Sequence, residues 1–234
     1  MAIDFTFWKI TALALADSVN PCVLAMLTLV LVTILIQNPE KRKKVLYTGL
    51  AFSFAVYLSY LFYGIVIIQL FKTFAELLRE NAIFIYRGMA IVAIVIGGLN
   101  IKDFLFYKKG GFATEMPLWM RPRVKRIIEK ITSPLGAFLI GFVVTVFLLP
   151  CTSGPYLVAS GLLSSLGVLK ALPWLLYYNL LFILPMIIIT FLIYFGLTEA
   201  EKVAEWKDKK IKFLHLIAGI LLIAVGISIL MGWI

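Results

Sequence analysis

Charge is scarce in this sequence: only 15% of its 234 residues are Asp, Glu, Lys or Arg, whereas 62% are hydrophobic. A soluble domain is about a quarter charged and about half apolar, so this composition excludes a soluble globular protein. No stretch between the apolar runs exceeds about 30 residues, which is too short to form an independent soluble domain. The sequence therefore predicts a single membrane domain over residues 1–234.

Histidine and cysteine are also scarce, with one and two residues respectively. The one histidine, His215, excludes metal or haem sites that need several histidines. Neither a GxxxxGK[ST] nor a GxGxxG motif occurs, so nucleotide-driven transport within this chain is excluded. We expect His215 to lie at the membrane interface, and we expect no metal and no cofactor.

Six apolar stretches are each long enough to cross about 30 Å of hydrocarbon, which takes about 20 helical residues. Their apolarity is continuous rather than alternating, which predicts helices and not barrel strands. The fold class predicted is an all-α integral membrane protein. The predicted spans are residues 5–36, 45–71, 83–106, 134–166, 169–196 and 211–233.

The basic residues predict the orientation of these spans. Most of the 22 lysines and arginines lie in or beside the first, third and fifth loops. Basic loops stay on the cytoplasmic side of a membrane, so both termini are expected outside the cell membrane. Contact of the basic loops with anionic lipid is expected as well, whereas nucleic-acid binding is not. The cytoplasmic loops predicted are residues 37–44, 107–133 and 197–210.

The two halves of the chain resemble each other. A shift of 129 residues aligns the Pro-Cys pair at 21–22 with the pair at 150–151, and Gly97 with Gly226. Three spans per half is an odd number, so the second half must lie inverted relative to the first. The sequence thus predicts an inverted repeat with broken helices at the Pro-Cys sites in spans one and four. The predicted parts are a first half at 1–107, a basic loop at 108–133 and a second half at 134–234.

The only two cysteines, Cys22 and Cys151, directly follow Pro21 and Pro150. Proline interrupts a helix, which would leave each cysteine near the start of the continuing half-helix. Free N–H groups and the helix dipole stabilise a thiolate there, and thiolate is the form that attacks disulfides. A two-fold axis in the membrane plane would bring the two sulfurs together, so we infer a reversible Cys22–Cys151 disulfide.

Two other interpretations of the cysteines stay open. Thiols in a membrane protein often behave as small hydrophobic side chains. A purely structural disulfide is the second possibility, although such bridges mainly staple small secreted domains.

The residues around the cysteines favour a polar site. Pro150, Gly154 and Pro155 are not expected to form a regular helix together. Asn20 and Asp17 lie close before Cys22. A carboxylate inside a membrane is costly, so Asp17 is either functional or lies near the outer headgroups.

Span five carries a second group of polar and helix-bending residues. Asn179 and Pro185, with Tyr177 and Tyr178, suggest a kinked helix. Packing is the preferred interpretation of these four residues.

These features resemble the CcdA family of membrane proteins, which are similar to the central membrane domain of the thiol reductant transporter DsbD. The motif that matches best is Pro150-Cys151-x-x-Gly154-Pro155-x-Leu157, and Pro21-Cys22-Val23-Leu24 also fits.

The resemblance implies a thiol–disulfide oxidoreductase. Such a protein takes reducing equivalents from cytoplasmic thioredoxin and passes them to thioredoxin-like proteins outside, commonly for cytochrome c maturation. Both partners would be separate proteins, and the redox centre would be the Cys22–Cys151 pair.

Two other functions stay open beside this electron conduit. One is a small-molecule or ion exporter on the same inverted repeat, which would keep some turnover after either cysteine is replaced by serine. The other is a quinone-linked thiol oxidase, which normally needs a second cysteine pair that this chain lacks.

Overall fold

The computed structural model describes residues 2–18, 21–37, 42–77, 82–106, 121–129, 133–197 and 199–231. Within these residues every regular element is an α-helix, which confirms the predicted all-helical class. The helices are α1 (Ala2–Ser18), α2 (Pro21–Gln37), α3 (Arg42–Leu77), α4 (Ala82–Leu105), α5 (Arg121–Ile128), α6 (Pro134–Ser164), α7 (Val168–Tyr194) and α8 (Ala200–Leu230).

Three described helices are long and apolar enough to cross a membrane: Arg42–Thr73 in α3, Val168–Tyr194 in α7 and Lys209–Leu230 in α8. The bent pair α1 and α2 makes a fourth span if it is counted as one. Helices α4 and α6, of 24 and 31 residues, lie where the third and fourth spans were expected. A helical protein that passes the membrane several times is thus confirmed, while the count of six stays a prediction.

The first predicted span consists of two helices. The segments Phe7–Ser18 and Val23–Gln37 are inclined by 46°. Pro21 is the first residue of α2, a position that proline favours because its missing N–H has no partner in the first turn anyway. Asn20, expected to shape the site, lies outside the described residues.

The fourth predicted span differs from expectation. Residues 150–155 were expected to interrupt it, but α6 is one helix from Pro134 to Ser164. In a membrane no water is present to bind backbone N–H and C=O groups, so these groups must form hydrogen bonds within the protein. A helix that loses single hydrogen bonds at its prolines is therefore still favoured over an irregular chain. Helix α7 behaves in the same way, with Pro173 and Pro185 in its interior. The predicted break at Cys151 is therefore not confirmed.

The helices pack into one bundle. Helix α3 contacts both α6 and α7, α1 contacts α7, and α4 contacts α8. Large side chains such as Phe52, Tyr60 and Phe182 are fully buried at the centre. Other large apolar side chains, among them Phe62 and Leu180, are exposed, as expected where helices face lipid.

Glycines allow α4 and α8 to cross closely. A Cβ atom added at Gly97 would lie 2.9 Å from the carbonyl oxygen of Gly219 and 2.7 Å from Cγ1 of Ile223. A side chain larger than hydrogen at Gly97 would therefore push the two backbones apart.

The same contact occurs a second time with the helices exchanged. A Cβ atom added at Gly226 would lie 2.9 Å from the carbonyl oxygen of Ala90 and 2.6 Å from Cγ1 of Ile94. The shift of 129 residues that aligns the Pro-Cys pairs converts each of these contacts into the other. The crossing of α4 and α8 thus has local two-fold symmetry.

Candidate functional site

The two cysteines lie on different helices. Cys22 is the second residue of α2, and Cys151 lies in the interior of α6. The side chains of both cysteines, and those of Pro21 and Pro150, lie outside the described residues. The Cys22–Cys151 disulfide therefore stays a prediction, and the site is built from the residues that flank it.

Asp17 is completely buried in the last turn of α1. The hydroxyl of Tyr178 on α7 donates a hydrogen bond to Oδ2 of Asp17 over 3.1 Å, and it also lies 3.4 Å from the carbonyl oxygen of Leu13. Tyr178 is itself fully buried. Asp17 therefore packs inside the protein, which favours the functional interpretation over an exposed position among headgroups.

A second tyrosine, Tyr156 on α6, extends this network. Its ring lies edge-on to that of Tyr178, with the centroids 5.2 Å apart. Its hydroxyl donates to the carbonyl oxygen of Tyr60 on α3 and accepts a 3.4 Å hydrogen bond from Nδ2 of Asn179. We call Asp17, Tyr60, Tyr156, Tyr178 and Asn179 the tyrosine–aspartate cluster.

The cluster is polar but closed to solvent. Each of its five residues is at most 2% exposed. Nδ2 of Asn179 also donates to the carbonyl oxygen of Leu175 over 2.9 Å, whereas Oδ1 of Asn179 has no hydrogen-bond partner among the described residues. A buried polar atom without a partner costs free energy, and native proteins keep few of them. This cost is a reason to regard the cluster as more than packing.

The cluster joins the two segments that carry the cysteines. Asp17 precedes Cys22 by five residues, and Tyr156 follows Cys151 by five residues. Within α6, which rises about 1.5 Å per residue, Tyr156 lies about 7.5 Å along the axis from Cys151. Asp17 lies in the last turn of α1, before the bend between α1 and α2. The contacts from Asp17 through Tyr178 to Tyr156 thus join the last turn of α1 to the part of α6 that follows Cys151.

Gly154 and Pro155, two further predicted site residues, are buried in α6. A Cβ atom added at Gly154 would lie 2.9 Å from Cγ2 of Ile96 on α4. Gly154 was expected to help interrupt the helix, but in the structure it allows α6 to approach α4. Its contribution is close packing of the helix that carries Cys151.

Part of this cluster was not predicted from the sequence. The sequence did not indicate Tyr60 or Tyr156 as site residues, and it favoured packing for Tyr178 and Asn179. A usable signal was Asn179 itself, because an amide in the middle of an apolar span needs buried partners. The contact between Tyr178 and Asp17 has no local signal, since 161 residues separate the two.

His215, which is expected at the membrane interface, is buried inside the helix bundle. It is 1% exposed, and its Nδ1 lies 2.9 Å from Oδ1 of Asn100 on α4. The close crossing of α4 and α8 buries it between the two helices. Among the described residues there is no group of three or more His, Cys, Asp or Glu side chains that could hold a metal ion.

Comparison with known families supplies the wider context. A family model described as the transmembrane region of cytochrome c biogenesis protein matches residues 9–228. No curated protein and no solved structure matches the chain significantly.

Proposed function

The chain belongs to the family of cytochrome c biogenesis transmembrane regions, and from this membership we propose that it is a membrane thiol–disulfide oxidoreductase. In this proposal Cys22 and Cys151 form the redox centre. Electrons enter from cytoplasmic thioredoxin and leave to a thioredoxin-like protein outside, for cytochrome c maturation.

One observation carries the proposal most directly. The tyrosine–aspartate cluster links α1, which ends just before the first Pro-Cys motif, with α6, which contains the second. Two cysteines far apart in sequence must approach each other to form a disulfide. The contacts of the tyrosine–aspartate cluster hold residues near both motifs together, which supports such an approach of the two cysteines.

The chemistry needs no cofactor, because the cysteines themselves carry the electrons. A thiolate of reduced thioredoxin attacks one sulfur of the Cys22–Cys151 disulfide, and the other sulfur leaves as a thiolate that takes up a proton. The second thiol of thioredoxin loses its proton and attacks the thioredoxin sulfur of the mixed disulfide, which releases the second membrane cysteine as a thiolate that takes up a proton. Thioredoxin ends as a disulfide and the membrane protein as a dithiol. The same steps, with the membrane protein as donor, reduce the acceptor outside.

Access from both sides of the membrane is part of the proposal. Inverted repeats expose a midplane site alternately to either side. The symmetric contacts of Gly97 and Gly226 support an inverted relation between the halves. Exposed lysines beside the proposed cytoplasmic loops, such as Lys202, Lys209 and Lys210, support the proposed orientation.

Thiol alkylation of the full-length protein in proteoliposomes tests this function. We expect no alkylation of the oxidised protein, and a mass increase of two alkyl groups after incubation with reduced thioredoxin. Replacement of either cysteine by serine should abolish electron transfer. Two thiols that remain free under oxidant, or substantial turnover by either serine variant, would overturn the proposal and favour an exporter.

A further inference from the structure

Helix α5 has two faces of opposite chemistry. Val124 and Ile128, one helical turn apart, are completely buried. Through this side α5 packs against α2 and α6. These are the two helices on which Cys22 and Cys151 lie, so α5 is fixed to the same helices as the proposed redox centre.

The opposite face of α5 is basic and exposed. It is formed by Arg123, Lys125 and Arg126, which we call the α5 basic face. Nζ of Lys125 lies 3.8 Å from Oε1 of Glu129, and their side chains are 62% and 52% exposed. An ion pair this open to water is weak, so Glu129 does little to neutralise the positive charge of Lys125.

We propose that the α5 basic face docks an acidic surface of the cytoplasmic dithiol donor. This inference rests on the proposed function and on the predicted orientation, which puts residues 107–133 in the cytoplasm. A soluble donor has to approach α2 and α6 from that side to exchange thiols with them. Complementary charge on a rim element raises the rate of encounter and fixes the orientation of the partner.

The composition of α5 favours a protein partner over a lipid surface. Helices that lie in a membrane interface expose large apolar residues such as Trp, Phe or Leu beside their charges. In α5, Val124 and Ile128 are completely buried within the protein, and Ile127 is half-buried. Among the described side chains of this helix, the exposed ones are the three basic residues and Pro122.

The test uses the full chain in neutral phosphatidylcholine vesicles, with reduced thioredoxin as the donor. The variant Lys125→Gln, Arg126→Gln removes two charges from the α5 basic face. We expect the thioredoxin concentration for half-maximal reduction to rise about three- to tenfold, with the maximal rate unchanged. Arg126→Glu should raise it further. Added salt should raise this half-maximal concentration more for the unsubstituted protein than for the variant, because salt screens the charges that the variant lacks.

The control variant is Lys209→Gln, Lys210→Gln on α8. It removes the same charge, and Lys209 also forms an exposed pair, 3.8 Å from Glu205. An unchanged half-maximal concentration in the α5 variant, or an equal rise in the α8 control, would overturn the docking proposal. The proposal would also be overturned if the half-maximal concentration rose only in vesicles that contain anionic phosphatidylglycerol. In that case the α5 basic face would bind lipid. Failure of the proposed function looks different, because thioredoxin would then not reduce even the unsubstituted protein.

Discussion

The hydroxyl of Tyr178 reaches the buried carboxylate of Asp17 over 3.1 Å, from a helix that is 161 residues away in sequence. Both side chains are fully buried. The bond connects α7 to the last turn of α1, directly before the first Pro-Cys motif. A buried carboxylate depends on such donors, because it has no water to replace them.

Tyr178→Phe removes this donor while keeping the ring. We expect the free energy of unfolding to fall by about 1–3 kcal/mol, because the carboxylate of Asp17 loses a hydrogen bond. We also expect slower reduction by thioredoxin, since α1 is less firmly positioned. Thermal unfolding in detergent and reduction rates in proteoliposomes measure the two effects.

Tyr177→Phe is the matched control for this prediction. Tyr177 is the neighbouring tyrosine on α7, half-buried, and its hydroxyl lies 3.0 Å from Oγ1 of Thr11. Tyr177→Phe should lower the free energy of unfolding less, because the hydroxyl of Thr11 keeps its 2.7 Å hydrogen bond to the carbonyl oxygen of Phe7. If both variants lose the same free energy of unfolding and the same rate of reduction by thioredoxin, the hydrogen bond between Tyr178 and Asp17 does not position α1 as predicted.

The glycine crossing of α4 and α8 gives a second prediction. Gly97→Ala should lower the free energy of unfolding by about 1–3 kcal/mol, because the added methyl overlaps the backbone of Gly219. Gly226→Ala should cost a similar amount, since its contacts with α4 are equivalent. Gly98→Ala is the control, because nothing lies within 4 Å of a Cβ atom there. If the Gly97 and Gly98 variants have equal free energies of unfolding, α4 and α8 can move apart at no cost in stability, and the prediction is wrong.

A trapped intermediate is the third prediction. Thiol exchange passes through a mixed disulfide, which persists when the resolving cysteine is absent. We expect one of the two variants Cys22→Ser and Cys151→Ser to hold thioredoxin covalently when that thioredoxin lacks its own resolving cysteine. Non-reducing gels followed by mass spectrometry would identify the adduct. Direct exchange is wrong if neither variant forms one.

The fourth prediction concerns orientation. Because basic residues concentrate in the loops predicted to be cytoplasmic, a reporter fused after Ile234 should be active outside the cell. The matched fusion within the basic loop 108–133 should be active inside. The reverse pattern would invert the proposed direction of electron flow.

The sequence by itself determined the class of the protein and the residues of the proposed redox centre. Continuous apolar runs leave a helix as the favoured backbone in lipid, so an all-helical membrane protein follows from composition. The two Pro-Cys pairs are local motifs, and they indicated the family that the comparison of residues 9–228 establishes.

The tertiary structure decided how these parts meet. Apolar composition does not show which face of a helix contacts another, because lipid and protein interior are equally apolar. The sequence therefore does not show that His215 packs against Asn100, which the α4–α8 crossing decides. It also expected α6 to break at Pro150, although internal hydrogen bonding keeps the helix intact. The bond between Tyr178 and Asp17 arises only when α7 packs against α1, since contacts across such sequence distances depend on the fold of the whole bundle.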